Sequence, residues 1–216
     1  MERRREILEN LEKAIYEYDN ELAEESAKKA IELKIDPIEA LDVMTKAIKK
    51  IGDAFGRGEL WLPDLVGASD AMQSAVPIFE EEIKKEGKHR ETLGTVVIGT
   101  VFGDIHSIGK TMVATLLTAS GFEVHDIGVN VPADKFVEAI KQSNANILAI
   151  SALMTTTCLE QEKVINTLKE CGIRDKVRVM VGGAATTKDF AETIGADGYA
   201  PTAPGAVELA RSLIKV

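Results

Sequence analysis

Between Arg3 and about Lys85, apolar side chains recur every three or four positions: Ile7, Leu11, Ile15 and Tyr18, then Leu22, Ala23, Ala27 and Ala30, then Ile38, Leu41, Met44, Ile48, Ile51 and Phe55. This period lines one face of an α-helix. Breaks at Asp19-Asn20, Asp36-Pro37 and Gly56-Arg57-Gly58 supply capping and turn chemistry. Pro37 also suits a first helical turn. The pattern predicts four helices, the last starting near Pro63 and ending near Lys85.

After Thr92 the pattern changes to short β-rich runs: GTVVIGTVF, FEVHDIGV, NILAISAL, VRVMVGG and a brief ADGYA. Helical stretches near 109–120, 133–143, 158–171, 187–194 and 204–214 separate or follow them. Strands that alternate with helices pair in parallel through right-handed crossovers and form an open, doubly wound sheet. The fold class expected is therefore α/β. A four-helix bundle spans 1–88, the polar stretch KKEGKHRE links, and a Rossmann-like, flavodoxin-like domain with a five-stranded parallel sheet spans 92–216. In such sheets ligands sit beyond the carboxyl ends of the strands, at the switch point. The loop GDIHSIGKT, residues 103–111, follows the first strand and so lies at that edge.

Composition narrows the picture mainly by exclusion. With 26 Lys+Arg against 35 Asp+Glu, the net charge of −9 repels the phosphate backbone of nucleic acid. The runs MERRRE and KKEGKHRE mix both signs and read as solvated surface. A length of 216 residues allows two cores. No apolar run approaches the roughly 18 residues of a membrane helix, and Met1 leads straight into charged residues without a signal-peptide pattern. The expectation is a cytoplasmic protein with neither nucleic acid nor membrane as partner. Cys158 and Cys171 have no metal-binding spacing and read as reduced packing residues.

The chemistry concentrates in GDIHSIGKT. A phosphate-binding P-loop separates its glycines by four residues, whereas Asp104 to Ile108 are five. Asp104 would also bring a carboxylate towards a triphosphate. A phospho-receiver domain needs an aspartate at the end of the third strand, and that strand ends Ser151-Ala152-Leu153. What remains is Asp104-x-His106-x-x-Gly109, in which a carboxylate is placed to take the second ring N–H of a metal-ligating imidazole. A capped turn is the plainer reading of such a pair alone. One histidine and one aspartate cannot complete a zinc site, and His125 and His89 stand in a strand and the linker without partnering spacing. A metal here arrives with most of its ligands attached, inside a cofactor.

The motif is joined, in chain order, by GDAFGRGELWLPDLVGASDAM before it and by SALMTTT, VGGAATT and GYAPTAPGA after it. Together they resemble the cobalamin-binding domain family, specifically the small corrinoid proteins of methyltransferase systems, and are similar to the cobalamin-binding domains of methionine synthase. The resemblance implies that His106 replaces the cofactor's dimethylbenzimidazole as the lower axial ligand of cobalt. Asp104 is then its hydrogen-bonded partner, and Thr157 joins both in a proton relay. Gly103, Ile105, Ser107, Ile108 and Gly109 complete the loop against the cofactor. Ser151 meets the benzimidazole tail, Gly182 and Gly183 let the nucleotide tail lie against backbone, Leu153, Thr155 and Ala184 also bind the cofactor, and Tyr199 belongs to the segment closing over the tail's far end. Trp61, Leu62 and Met72 are the candidates by which the helical domain, as a cap, touches the upper corrin face. The bland alternatives are a hydroxyl-capped helix for SALMTTT, a plain turn for the glycines and core packing for Met72.

The activity so implied is methyl carriage on a bound cobalamin (methylcobalamin or hydroxocobalamin). A substrate:corrinoid methyltransferase, of the methylamine or quaternary-amine type rather than methanol, would load the methyl group. A methylcorrinoid:acceptor methyltransferase would pass it to tetrahydrofolate, tetrahydromethanopterin or coenzyme M, and a reductive activase would service the cobalt. Two rivals share the motif. The cobalamin-binding subunit of an adenosylcobalamin mutase lacks such a helical cap, and a cobalamin-dependent regulator needs an output module beyond the two domains assigned.

Overall fold

The computed structural model describes residues 2–87 and 92–215. Two compact units divide the chain, Met1–Glu91 and Thr92–Val216. His89 and part of the expected linker lie outside the described residues.

The first unit contains α1 (Glu2–Glu17), α2 (Asn20–Glu32), α3 (Pro37–Gly56) and α4 (Leu62–Lys85). The breaks work as their chemistry predicts. Asp19 accepts from the Leu22 N–H at 2.9 Å, and Asp36 from the Ile38 N–H at 3.3 Å just ahead of Pro37. Ile7, Leu11 and Ile15 of α1 and Leu41, Met44 and Ile48 of α3 are buried. α2 packs on α4, and both bury small residues, Ala23, Ala27 and Ala30 on α2 and Ala68, Ala71 and Ala75 on α4.

The second unit alternates β1 (Thr95–Thr100), α5 (Ile108–Ala119), β2 (Glu123–Asp126), α6 (Ala133–Ser143), β3 (Ile147–Ser151), α7 (Leu159–Glu170), β4 (Arg178–Gly182), α8 (Lys188–Ile194), β5 (Gly198–Tyr199) and α9 (Ala203–Ile214). A short 3-10 turn over Arg174–Lys176, which the periodicity does not signal, precedes β4. The strands pair in parallel in the order β2-β1-β3-β4-β5. Strand residues alternate between two buried faces. Val97, Leu148, Ile150, Val179 and Val181 meet Phe136, Ile140, Val164 and Leu168 of α6 and α7, while α5 and α9 pair with each other. The chain order reverses between β1 and β3, so their carboxyl ends open the crevice at which this topology places ligands.

Candidate functional site

Two loops meet at that crevice, one after β1 and one after β3. Gly103 turns the first loop with φ 78°. A Cβ there would come no closer than 3.7 Å to Thr157, so the left-handed backbone rather than lack of space calls for glycine. The next residue, Asp104, has no exposed surface. Its Oδ1 accepts from the His106 N–H at 3.0 Å and lies 2.7 Å from His106 Nδ1. Its Oδ2 accepts from the Leu153 N–H and from Thr157 Oγ1, each at 2.8 Å. One buried carboxylate therefore ties the β1 loop to the β3 loop across the switch point.

Burial by itself pushes the Asp104 pKa up. The donors from His106, Leu153 and Thr157 outweigh it and hold the carboxyl well below the usual carboxylate range. An ionised carboxylate only accepts, so His106 Nδ1 carries the hydrogen, and in the neutral ring Nε2 keeps its lone pair. The His106 side chain is 47% exposed. Large apolar neighbours on the same two loops are exposed as well: Phe102, Ile105, Ile108, Leu153 and Met154, with Ile105 at 74%. Among the described residues no group of three or more His, Cys, Asp or Glu side chains could hold a metal ion. An ion at Nε2 must bring its other ligands.

The other expected residues fall as follows. Ser107 and Gly109 are exposed at the start of α5, with open space beside Gly109. Ser151 ends β3 half-buried, whereas Thr155 is exposed and stands outside the hydrogen-bonded group around Asp104. Gly182 ends β4, and Ala184 is exposed. Gly183, at φ 117°, would place a Cβ 1.8 Å from the Ala152 carbonyl oxygen, so the chain's own backbone already requires glycine there. Tyr199 is half-buried against the core on the α6–α7 side. In the helical unit Trp61 is 77% exposed and Leu62 half-buried. Met72 is a correction: at 2% exposure it belongs to the core with Leu65, Ala68, Ala75 and Phe79, whose spacing of three and four puts all five on the inward stripe of α4.

Several contributors escaped the sequence reading. Thr100, buried at the end of β1, donates to the His106 carbonyl at 3.0 Å. The only hint was a hydroxyl in an apolar strand. Buried Gln161 donates to the Ile150 and Gly182 carbonyls, each at 3.0 Å, and accepts from Thr186 Oγ1 at 3.1 Å, clasping β3 to β4. Lys110, the lysine of Gly-Lys-Thr, is 4% exposed and ion-paired with Asp126, so its ammonium is not turned out towards a phosphate.

Family models described as B12 binding domain match residues 94–208 and 7–80. The chain is 43% identical over its whole length to the whole of a trimethylamine corrinoid protein from Methanosarcina barkeri. It is also 43% identical to a dimethylamine corrinoid protein from Methanosarcina mazei, with 99% of each chain covered. Among solved structures it is similar to the methanol:cobalamin methyltransferase complex of Methanosarcina barkeri, at 32% identity and a TM-score of 0.79, over 97% of this chain and 80% of that one. No described helix is long and apolar enough to cross a membrane. With both domain models in place and relatives matched end to end, the chain belongs to the cobalamin-binding family of methyltransferase-cognate corrinoid proteins.

Proposed function

We propose that this protein carries a methyl group on a corrinoid seated over the carboxyl ends of β1 and β3, with His106 as the lower axial ligand. The observation that carries this reading is the buried, four-donor carboxylate of Asp104, which fixes one imidazole so that Nε2 alone is left to coordinate. The residues present fit a corrinoid. Its metal arrives already ringed by nitrogens and needs one more, and the exposed apolar side chains of Ile105, Ile108, Leu153 and Met154 suit a broad macrocycle better than a hydrated ion. When bound, such a cofactor supplies the cobalt that takes up and gives up the methyl group.

The chain's own residues hold, orient and screen. Asp104 keeps the hydrogen on Nδ1 and so keeps Nε2 available. Thr157 satisfies the far carboxylate oxygen, and Thr157, Asp104 and His106 form the hydrogen-bonded chain that is the candidate proton relay. Ser151, Gly182, Gly183, Ala184 and Tyr199 stand at or near the β3, β4 and β5 ends, where a nucleotide tail would run. Trp61, exposed, and Leu62, half-buried, are the apolar candidates of the helical unit for contact with the cofactor.

The names of the relatives favour an amine donor, with a methylamine-type methyltransferase loading the methyl group. A second methyltransferase would pass it to tetrahydrofolate, tetrahydromethanopterin or coenzyme M, and a reductive activase would service the cofactor. The test uses protein grown with nitrogen-15 histidine, loaded with hydroxocobalamin and reduced by one electron. Its paramagnetic resonance spectrum should show a nitrogen splitting that changes with the label and disappears in His106→Ala. A splitting indifferent to the label overturns the ligand assignment.

A further inference from the structure

Asn130 lies in the turn between β2 and α6, outside the donor set of Asp104, yet it grips the histidine loop twice. Its Oδ1 accepts from the Gly103 N–H at 2.8 Å, and its own N–H donates to the Asp104 carbonyl at 2.8 Å. Both bonds fall just ahead of His106. The turn that carries Asn130 is itself fixed. The Thr100 N–H donates to the Gly128 carbonyl and the Val131 N–H to the Thr100 carbonyl, each at 3.0 Å. Asp126 accepts from the Gly128 N–H at 2.9 Å and pairs through its other oxygen with buried Lys110, in the first turn of α5. One turn therefore braces the loop on both sides of the histidine, through Asn130 before it and through the Asp126–Lys110 pair after it.

The backbone of Asn130 is left-handed, at φ 55°. Asparagine accepts that conformation more readily than most residues with a side chain, so both the conformation and the acceptor call for it here.

We propose that Asn130 is a positioning residue for His106, fixing the Gly103–Asp104 turn so that the imidazole is already in place when it ligates the corrinoid metal. The inference rests on the axial-ligand reading above. A loop ordered beforehand does not give up conformational freedom on ligation, whereas a loosened one does. A single neutral hydrogen bond of this kind shifts a bound-to-free ratio by about three- to tenfold.

The test compares native protein, Asn130→Gly and Asn130→Asp, all carrying nitrogen-15 histidine and loaded with cobalamin. The readouts are the ratio of histidine-bound to histidine-free signal per bound corrinoid in the one-electron-reduced state, and amide exchange at Gly103 in the cofactor-free protein. Glycine adopts the left-handed backbone without strain and removes the acceptor, with some gain in backbone freedom, while aspartate keeps both an acceptor and a side-chain-bearing backbone. The glycine variant should lower the ratio by about three- to tenfold and speed exchange at Gly103, and the aspartate variant should stay near native in both. A glycine variant with the native ratio, or an aspartate variant as impaired as the glycine one, overturns the proposal. His106→Ala, run alongside, separates the two ideas. If it keeps the native splitting the axial assignment falls, while Gly103 exchange still reports whether Asn130 holds the loop.

Discussion

Asp104 takes two of its four hydrogen bonds from main-chain N–H groups, those of His106 and Leu153. Main-chain donors leave no trace in residue type, so only part of this environment is readable from the motif Asp104-x-His106-x-x-Gly109. The pairing of carboxylate and imidazole is written in that spacing. The Leu153 N–H, the Thr100 hydroxyl and the Asn130 amide come from elements that meet only on folding. The same donors set a pH dependence. A carboxylate whose pKa falls on folding stabilises the native state above its unfolded value, and that contribution fades as pH drops through the folded one. The Asp104 carboxyl is lowered from its ordinary 3.8. Asp104→Asn should therefore be less stable than the native protein above about pH 4, with the difference shrinking as the pH is lowered further. Denaturant unfolding from about pH 2 to about pH 7 checks it, and a difference that stays constant with pH contradicts it.

Among the elements, β3 and β4 are closely joined at their carboxyl ends. Gln161 reaches from α7 to the carbonyls that end both strands, and Gly183 passes against the Ala152 carbonyl. The glycine pair in VGGAATT suggested room for a ligand, and the structure gives Gly183 a nearer reason in the chain's own backbone. Gly183→Ala has to move that carbonyl and also strains a left-handed backbone, so it should lose at least about 2 kcal/mol. Gly182→Ala, whose Cβ would meet the Ala200 carbonyl at 3.2 Å, should lose less. Urea midpoints of the two variants at an unchanged slope measure the order, and equal losses would show that the close approach is relieved elsewhere. Helix and strand positions were largely legible, because a period of three to four records the buried side of each helix, and short continuous apolar runs mark central strands buried on both faces. The 3-10 turn at Arg174–Lys176 was not, since three residues carry no period.

At the scale of the whole molecule, the helical unit and the α/β unit are separate compact bodies, Met1–Glu91 and Thr92–Val216, each matched by its own domain model. The proposed methyl carriage between two partners would need the cofactor uncovered for each, and hinge movement between domains is a known way to do so. A covalent cross-link between the units is expected to leave corrinoid bound, as visible absorption would show, and to abolish transfer of a labelled methyl group. Undiminished turnover in the cross-linked protein would remove the moving cap.

The sequence alone determined the two-part organisation, the alternation that makes a doubly wound sheet and the local carboxylate–imidazole pairing. Each of these depends on spacing along the chain: the periods of apolar residues, the capping residues at the breaks and two side chains on one loop. Tertiary structure decided the rest. It brought the β3 loop and Thr157 onto the far oxygen of Asp104 and the β2 turn onto Gly103, it turned Met72 inward and Ile105 outward, and it engaged Lys110 with Asp126. Those outcomes depend on which strands become neighbours and on which side of a helix faces the core, and neither is a property of any one stretch of the chain.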